Sequence, residues 1–234
     1  MRIDVWSDLV CPFCHVGRRY LDLALADFPH RDEVDVVWHS FELDRNAPPV
    51  LDGSNTARVA DKYGVPVAQV EEQQRQMANA AAQVGLDFQW EQVQGGNSYD
   101  AHRVIHFARS KDLEEPVTRS LMHGWYTDGE ALGEKSTLVR LGVAGGLDEA
   151  ELRAVLDSDD FGYDVREDEA MATEIGISSV PTFVLDQKYA VVGAQPVEVF
   201  RNALAQVWEE RGIEPQQREA GCGACGCGAG GCGS

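Results

Sequence analysis

Two cysteines separated by Pro12 and Phe13, Cys11 and Cys14, stand where a strand-like alternation gives way to a helical period. Upstream, 2–6 alternates around Ile3 and other short apolar positions. Downstream, 11–26 carries Phe13, Val16, Tyr20, Leu21, Leu23, Leu25 and Ala26 with one rich face, and Pro29 closes the helix. The spacing therefore puts the first sulfur at a helix N-terminus and the second one turn further in. A β-branched run over 34–38 (Val34, Val36, Val37, Trp38) predicts a second strand, so the first forty residues or so read strand, helix, strand.

From Asn46-Ala47-Pro48-Pro49 onward, strand-like runs nearly vanish. Pro66 and Gly85 frame a helix with Val67, Val70, Met77, Ala81 and Val84 on one side. Asn97 or Ser98 can cap another, Pro116 can open the next, and Ser136 can cap one that ends before Gly145-Gly146. The segments 148–157 and 164–175 supply two more. After Gly176, Thr182-Phe183-Val184-Leu185, a turn at Asp186-Gln187 and the run 189–193 predict a hairpin, and 196–208 a closing helix. The expected organisation is an α/β layer from 1–45 and 176–212, a helical insertion over 46–175, and a tail over 213–234.

The six cysteines are divided between the two ends: Cys11 and Cys14, then Cys222, Cys225, Cys227 and Cys232, with none between. That is no scattered disulfide framework. The chain has 234 residues, 44% of them hydrophobic, enough to bury a core. No apolar run approaches the roughly 20 residues of a membrane span, and the opening residues lack a signal-peptide stretch, so the expected compartment is the cytoplasm. Twenty Lys and Arg against 39 Asp and Glu give a net charge of −19, which disfavours nucleic acid and anionic membrane surfaces as partners.

At a helix N-terminus, unpaired N–H groups and the positive dipole end stabilise a thiolate. Cys11 is then the nucleophile, and Cys14, more buried, resolves the mixed disulfide by attacking Cys11. Pro12 suits the first helical turn, where a missing N–H costs nothing. Half of a zinc site is the competing reading of the pair, with partner ligands drawn from the distant tail. Inert structural cysteines are the other alternative, and they rarely stand side by side in a capping turn.

With this pair, the runs Asn97-Ser98-Tyr99-Asp100-Ala101-His102-Arg103, Val180-Pro181-Thr182-Phe183-Val184, Tyr189-Ala190-Val191 and Gly193-Ala194-Gln195 resemble the DsbA-like branch of the thioredoxin superfamily. More narrowly, over residues 1 to about 210, the chain looks like the FrnE subfamily of cytoplasmic DsbA-like proteins. The resemblance implies a thioredoxin fold with an inserted all-helical domain. It also implies a thiol–disulfide oxidoreductase or isomerase acting on cysteine-containing proteins or small thiols, with no cofactor beyond its cysteine pairs. It places Val180–Pro181 as a cis peptide facing the cysteines, where Pro12, Phe13 and His15 would also shape the site. Pro-Phe departs from the dipeptide of strongly oxidising DsbA enzymes, which contains a histidine; His15 directly after Cys14 could serve as a thiolate-stabilising cation or be a partly exposed helix residue.

The last 14 residues are seven Gly, four Cys, two Ala and one Ser, the composition of a mobile arm. Some FrnE-like proteins carry a cysteine pair spaced as Cys227 and Cys232 are, which implies a second redox pair. All four tail thiols could instead enclose zinc. His102 and His106 have the i, i+4 spacing of a two-histidine metal pair, but without a third ligand at clear spacing a helix face lining the cleft or the surface is the simpler reading. Two other functions are compatible with the pattern. One is a glutathione-dependent isomerase or transferase of the kappa and hydroxychromene-carboxylate isomerase type, which the intact pair argues against. The other is a redox-switched, chaperone-like binding protein.

Overall fold

A computed structural model describes residues 1–51 and 53–213; Cys222, Cys225, Cys227 and Cys232 lie outside the described residues. The element order is β1 (Arg2–Ser7), α1 (Pro12–Ala26), β2 (Asp35–Ser40), α2 (Asn55–Tyr63), α3 (Val67–Gln83), α4 (Tyr99–Arg109), α5 (Glu114–Tyr126), α6 (Lys135–Ala144), α7 (Glu149–Asp157), α8 (Gly162–Glu174), β3 (Thr182–Leu185), β4 (Tyr189–Val192) and α9 (Val197–Ile213). The four strands form one sheet in the order β2-β1-β3-β4, with β1 and β2 parallel and the other neighbours antiparallel. In the β3–β4 turn, Asp186 and Gln187 take left-handed φ values of 47° and 57°, the geometry a tight hairpin demands and these polar residues tolerate. The seven helices α2 to α8 all fall between β2 and β3.

Among these, α2 was not expected. Ser54 caps it, accepting the Ala57 N–H at 3.4 Å, and Gly64 ends it at a φ of 64°. Its nine residues are largely polar and only Thr56 and Ala60 are buried, so few apolar residues mark it in the sequence. Helix α6 begins two residues earlier than a Ser136 cap would give, with Glu134 as its cap residue. Helix α5 begins before Pro116, which the first turn tolerates.

Side chains alternate across β1, and both faces are buried. Ile3 and Val5 join Leu21 and Leu25 of α1 and Phe200 and Leu204 of α9 in one apolar core. A second core binds the helical insertion together around Val104, Leu121, Trp125, Leu138 and Leu152, and reaches the first layer through Leu9 and Val16. The opposite face of β1 carries Asp4 and Trp6 toward α8, so a carboxylate is turned into the interior.

That carboxylate is matched by a polar staple. His39 of β2 lies between two acids, Nδ1 donating to Asp168 at 2.6 Å and Nε2 to Asp4 at 2.8 Å, and stacks on Trp6. Asp168 of α8 also accepts the Ser40 N–H at 2.8 Å and lies 3.1 Å from His106 Nε2, while its carbonyl accepts the Trp6 indole N–H. Burial works against the charge on Asp168, but hydrogen bonds from His106, His39 and the Ser40 N–H outweigh it and hold the carboxyl below the ordinary carboxylate range. Burial likewise disfavours the His39 imidazolium, and the two carboxylates overcome it, raising His39 above its ordinary value. These bonds dock α8 on the sheet.

Helix α1 passes the loop before β3 at Gly17, where an added Cβ would lie 2.9 Å from Pro181 Cγ and 3.2 Å from Phe183 Cζ. The absent side chain is what lets α1 and the Pro181 loop approach each other. Gly17→Val should overpack this contact, lowering the free energy of unfolding by about 1–3 kcal/mol in urea titration; an unchanged midpoint would contradict the packing described. Asp168→Asn should cost about 3 kcal/mol by leaving His39 with one carboxylate. Asp168 contributes stability above the ordinary carboxylate value and loses it as pH falls. His39 contributes below the ordinary histidine value and loses it as pH rises through its raised one. The excess stability of the parent over Asp168→Asn should therefore peak between about pH 4 and 6.5; a difference flat from pH 3 to 9 would show that the staple carries no charge.

Candidate functional site

Cys11 is the residue that precedes α1, with extended φ and ψ of −114° and 115°, and Pro12 opens the helix. Its carbonyl accepts the N–H groups of Cys14 at 3.0 Å and His15 at 3.4 Å, closing the first turn. No acidic side chain stands in that turn, so nothing there opposes an anion at the helix end. The two cysteines are unbridged thiols.

Their surroundings differ. Cys14 is wholly buried, and its sulfur accepts the backbone N–H of Asp8 at 3.4 Å. Burial, reinforced by the neighbouring Cys11, pushes the Cys14 thiol well above its ordinary value, with the Ser7 hydroxyl and the Asp8 N–H acting the other way. Cys11 is 4% exposed, and beside it Phe13 is 51% exposed, a phenyl ring offered to whatever approaches the sulfur. Cys11 thus lies just below the surface and Cys14 behind it.

The Val180–Pro181 peptide is cis. The loop is held from two sides: Pro181 O accepts the Gly193 N–H at 2.7 Å, and the Thr182 hydroxyl donates to Ser179 O at 2.7 Å. Pro181 packs on Gly17, so the loop borders the second turn of α1.

His15 is neither a cation nor a partly exposed residue. It is 5% exposed, stacked on Tyr126 at 4.4 Å, with Nε2 lying 3.2 Å from Leu9 O. Burial pushes it down to about 3, so it is neutral at physiological pH and contributes shape rather than charge. The Tyr126 hydroxyl is itself buried without a partner among the described residues, and burial and the nearby Cys11 raise it above the ordinary phenol value. A groove of about 430 Å³ opens along this side, bordered by Arg19, Asp22, Arg119, His123 and Tyr126.

His102 and His106 do not form a metal pair or a surface face. Both are buried, His106 in the staple with Ser40 and Asp168, and His102 with Nε2 3.5 Å from Asp8 Oδ1. Among the described residues, no cluster of three or more His, Cys, Asp or Glu is arranged to hold a metal. Sequence reasoning did not find Ser7, Asp8, His39 or Asp168. Asp4, Trp6, Ser7 and Asp8 crowd one segment next to the cysteines, but their partners at 39, 102 and 168 are remote in the chain.

The family model described as a DSBA-like thioredoxin domain matches residues 2–205. A crystal structure of a probable DsbA oxidoreductase from Streptomyces coelicolor is 37% identical, superimposes with a TM-score of 0.88, and covers 99% of this chain and 100% of its own. The uncharacterized protein YwbO of Bacillus subtilis is 26% identical over 208 residues, 88% of this chain and 96% of YwbO. The cytosolic disulfide reductase DsbM of Pseudomonas aeruginosa shares the fold at 15% identity and a TM-score of 0.61, over 89% of this chain and 100% of that one. With its four-stranded sheet, inserted helices and cysteine pair at the head of α1, the chain belongs to the DSBA-like thioredoxin domain family.

Proposed function

We propose that this chain is a FrnE-type thiol–disulfide oxidoreductase, with isomerase capability, acting on cysteine-containing proteins or small thiols. The observation that carries the reading is the asymmetry of the pair: Cys11 under the surface at a helix N-terminus, Cys14 fully buried one turn on. In the reducing direction the Cys11 thiolate attacks a substrate disulfide, forming a mixed disulfide and releasing one substrate thiol. Cys14 then attacks the Cys11 sulfur, the second substrate sulfur leaves, and a Cys11–Cys14 disulfide remains. The oxidising direction is the reverse. The Phe13 ring and the backbone beside Pro181 offer a surface on which an extended peptide can lie.

A single Ser or Cys stands at the Cys11 position in the glutathione-dependent isomerases, so the intact pair favours exchange chemistry over that alternative. The proposed compartment is the cytoplasm. Among the described residues no helix is long and apolar enough to cross a membrane. The net charge of −19 argues against nucleic acid and anionic lipid as partners. The proposal extends to Cys227 and Cys232 as a second redox pair that exchanges with the first.

Insulin reduction and reactivation of a scrambled-disulfide substrate should fall to background in Cys11→Ser; full activity in that variant would refute the mechanism. The reduction potential of the pair sets the direction: a value near −270 mV marks a reductant, near −120 mV an oxidant, and one between them isomerase-like exchange. For the tail, metal content is measured in the full chain and in a chain ending before Gly221. No stoichiometric zinc in either supports the redox pair, while one zinc per chain lost with the tail would replace it with a metal site.

A further inference from the structure

Resolution by Cys14 needs a proton acceptor, because a thiol sealed from water must ionise before it can attack. Two neighbours bond its sulfur, the Asp8 N–H and the Ser7 hydroxyl, and His102 lies next to Asp8. Asp8 is wholly inaccessible and donates its backbone N–H to Cys14 Sγ. Its carboxylate accepts the Leu43 N–H through Oδ2 at 2.7 Å and the Val10 N–H through Oδ1 at 3.2 Å. His102, 4% exposed, places Nε2 3.5 Å from Asp8 Oδ1, beyond a good hydrogen bond, and this nitrogen is one of two buried side-chain polar atoms without a partner among the described residues. Beside them lies a partly open cavity of about 30 Å³, the share of one water molecule, whose wall includes both Ser7 and His102 together with His39 and Ser40.

We propose that His102, paired with Asp8, is the positioning residue that takes the proton from Cys14 during resolution, acting through the Ser7 hydroxyl and a water in this cavity. The inference rests on the oxidoreductase reading above. In the step, the Cys14 S–H proton passes to His102 Nε2 and the Cys14 sulfur bonds to Cys11. The bond between Cys11 and the substrate sulfur breaks, and its electron pair leaves with the substrate. The substrate thiolate takes a proton from water, and the imidazolium later returns its proton to solvent. Cys11 and Cys14 are oxidised together, the substrate disulfide is reduced to two thiols, and no further reactant is required.

The electrostatics suit the task. Burial disfavours the His102 imidazolium, but Asp8, Glu42 and Glu169 face it and raise its basicity. Arg18 and Arg109 share the cavity wall but have their own carboxylates, Glu115 and Glu114, while Arg45 and Arg166 pair with Glu169 and Glu42. His39, also on the wall, is held by Asp4 and Asp168.

The test uses the full chain with Cys222, Cys225, Cys227 and Cys232 changed to Ser, reduced and mixed with 5,5′-dithiobis(2-nitrobenzoate) in a stopped flow. Attack by Cys11 releases one chromophore and resolution by Cys14 releases a second, so the two steps separate. In His102→Asn the ratio of the second rate to the first should fall about 100-fold at pH 7, with the deficit closing as pH rises and Cys14 ionises unaided. Asp8→Asn, which keeps the backbone N–H, should shift the ratio in the same direction. An unaltered ratio across pH 6–9 in folded His102→Asn would overturn the proposal, whereas absence of the first release in the parent would overturn the oxidoreductase reading instead. Should His102→Asn fail to fold, NMR titration of His102 in the parent decides. Its midpoint should differ between the dithiol and disulfide forms, and identical midpoints would contradict a proton shared with Cys14.

Discussion

The N–H of Asp8 donating to the sulfur of Cys14 is the contact around which the site is organised. It ties the residue directly after β1 to the first turn of α1, so the strand delivers both cysteines to a fixed place. Once Cys14 is buried there, its thiol resists ionisation and cannot compete with Cys11 for an incoming disulfide. The division of labour between two chemically identical groups thus follows from burial and one backbone bond. Gly17 completes the arrangement by letting the cis Val180–Pro181 loop approach the same helix.

The price of this geometry is a polar interior. β1 must be covered on both faces, and the face toward α8 carries Asp4, while the turn that follows carries Asp8. Each buried acid is met by donors: Asp4 by His39 and Arg2, Asp8 by backbone N–H groups with His102 close by. Buried charge in a low-dielectric interior is tolerated only when so satisfied. The same requirement that docks the helical insertion on the sheet therefore lines the space behind Cys14 with groups able to accept a proton. Structure and chemistry share these residues, and the insertion is more than a cover over the active site.

Much of this was legible in the sequence wherever a local pattern sufficed. The CPFC turn, the strands around it, the hairpin over 182–192 and most of the inserted helices follow from periodicity, Pro and Gly. Helix α2 escaped because it is short and mostly polar, with few apolar residues to mark it. His15 misled for a related reason: next to Cys14 in sequence it looks like a cation for the thiolate, but the helix turns it into the core against Tyr126, where burial strips its charge. His102 and His106 were recognisable as a pair, but their partners Asp8, Ser40 and Asp168 come from separate elements. Contacts of that kind have no periodicity to betray them, and buried carboxylates read like solvated ones until the fold encloses them.

The central claim is that Cys11 alone meets the substrate while Cys14 resolves from behind. It is tested most directly in Cys14→Ser with Cys222, Cys225, Cys227 and Cys232 also changed to Ser, by trapping the covalent intermediate with a disulfide-containing peptide and mapping the attachment point by mass spectrometry. The expected result is one mixed disulfide at Cys11, stable until external thiol is added. No adduct at Cys11, or turnover that persists without a trapped species, would contradict it.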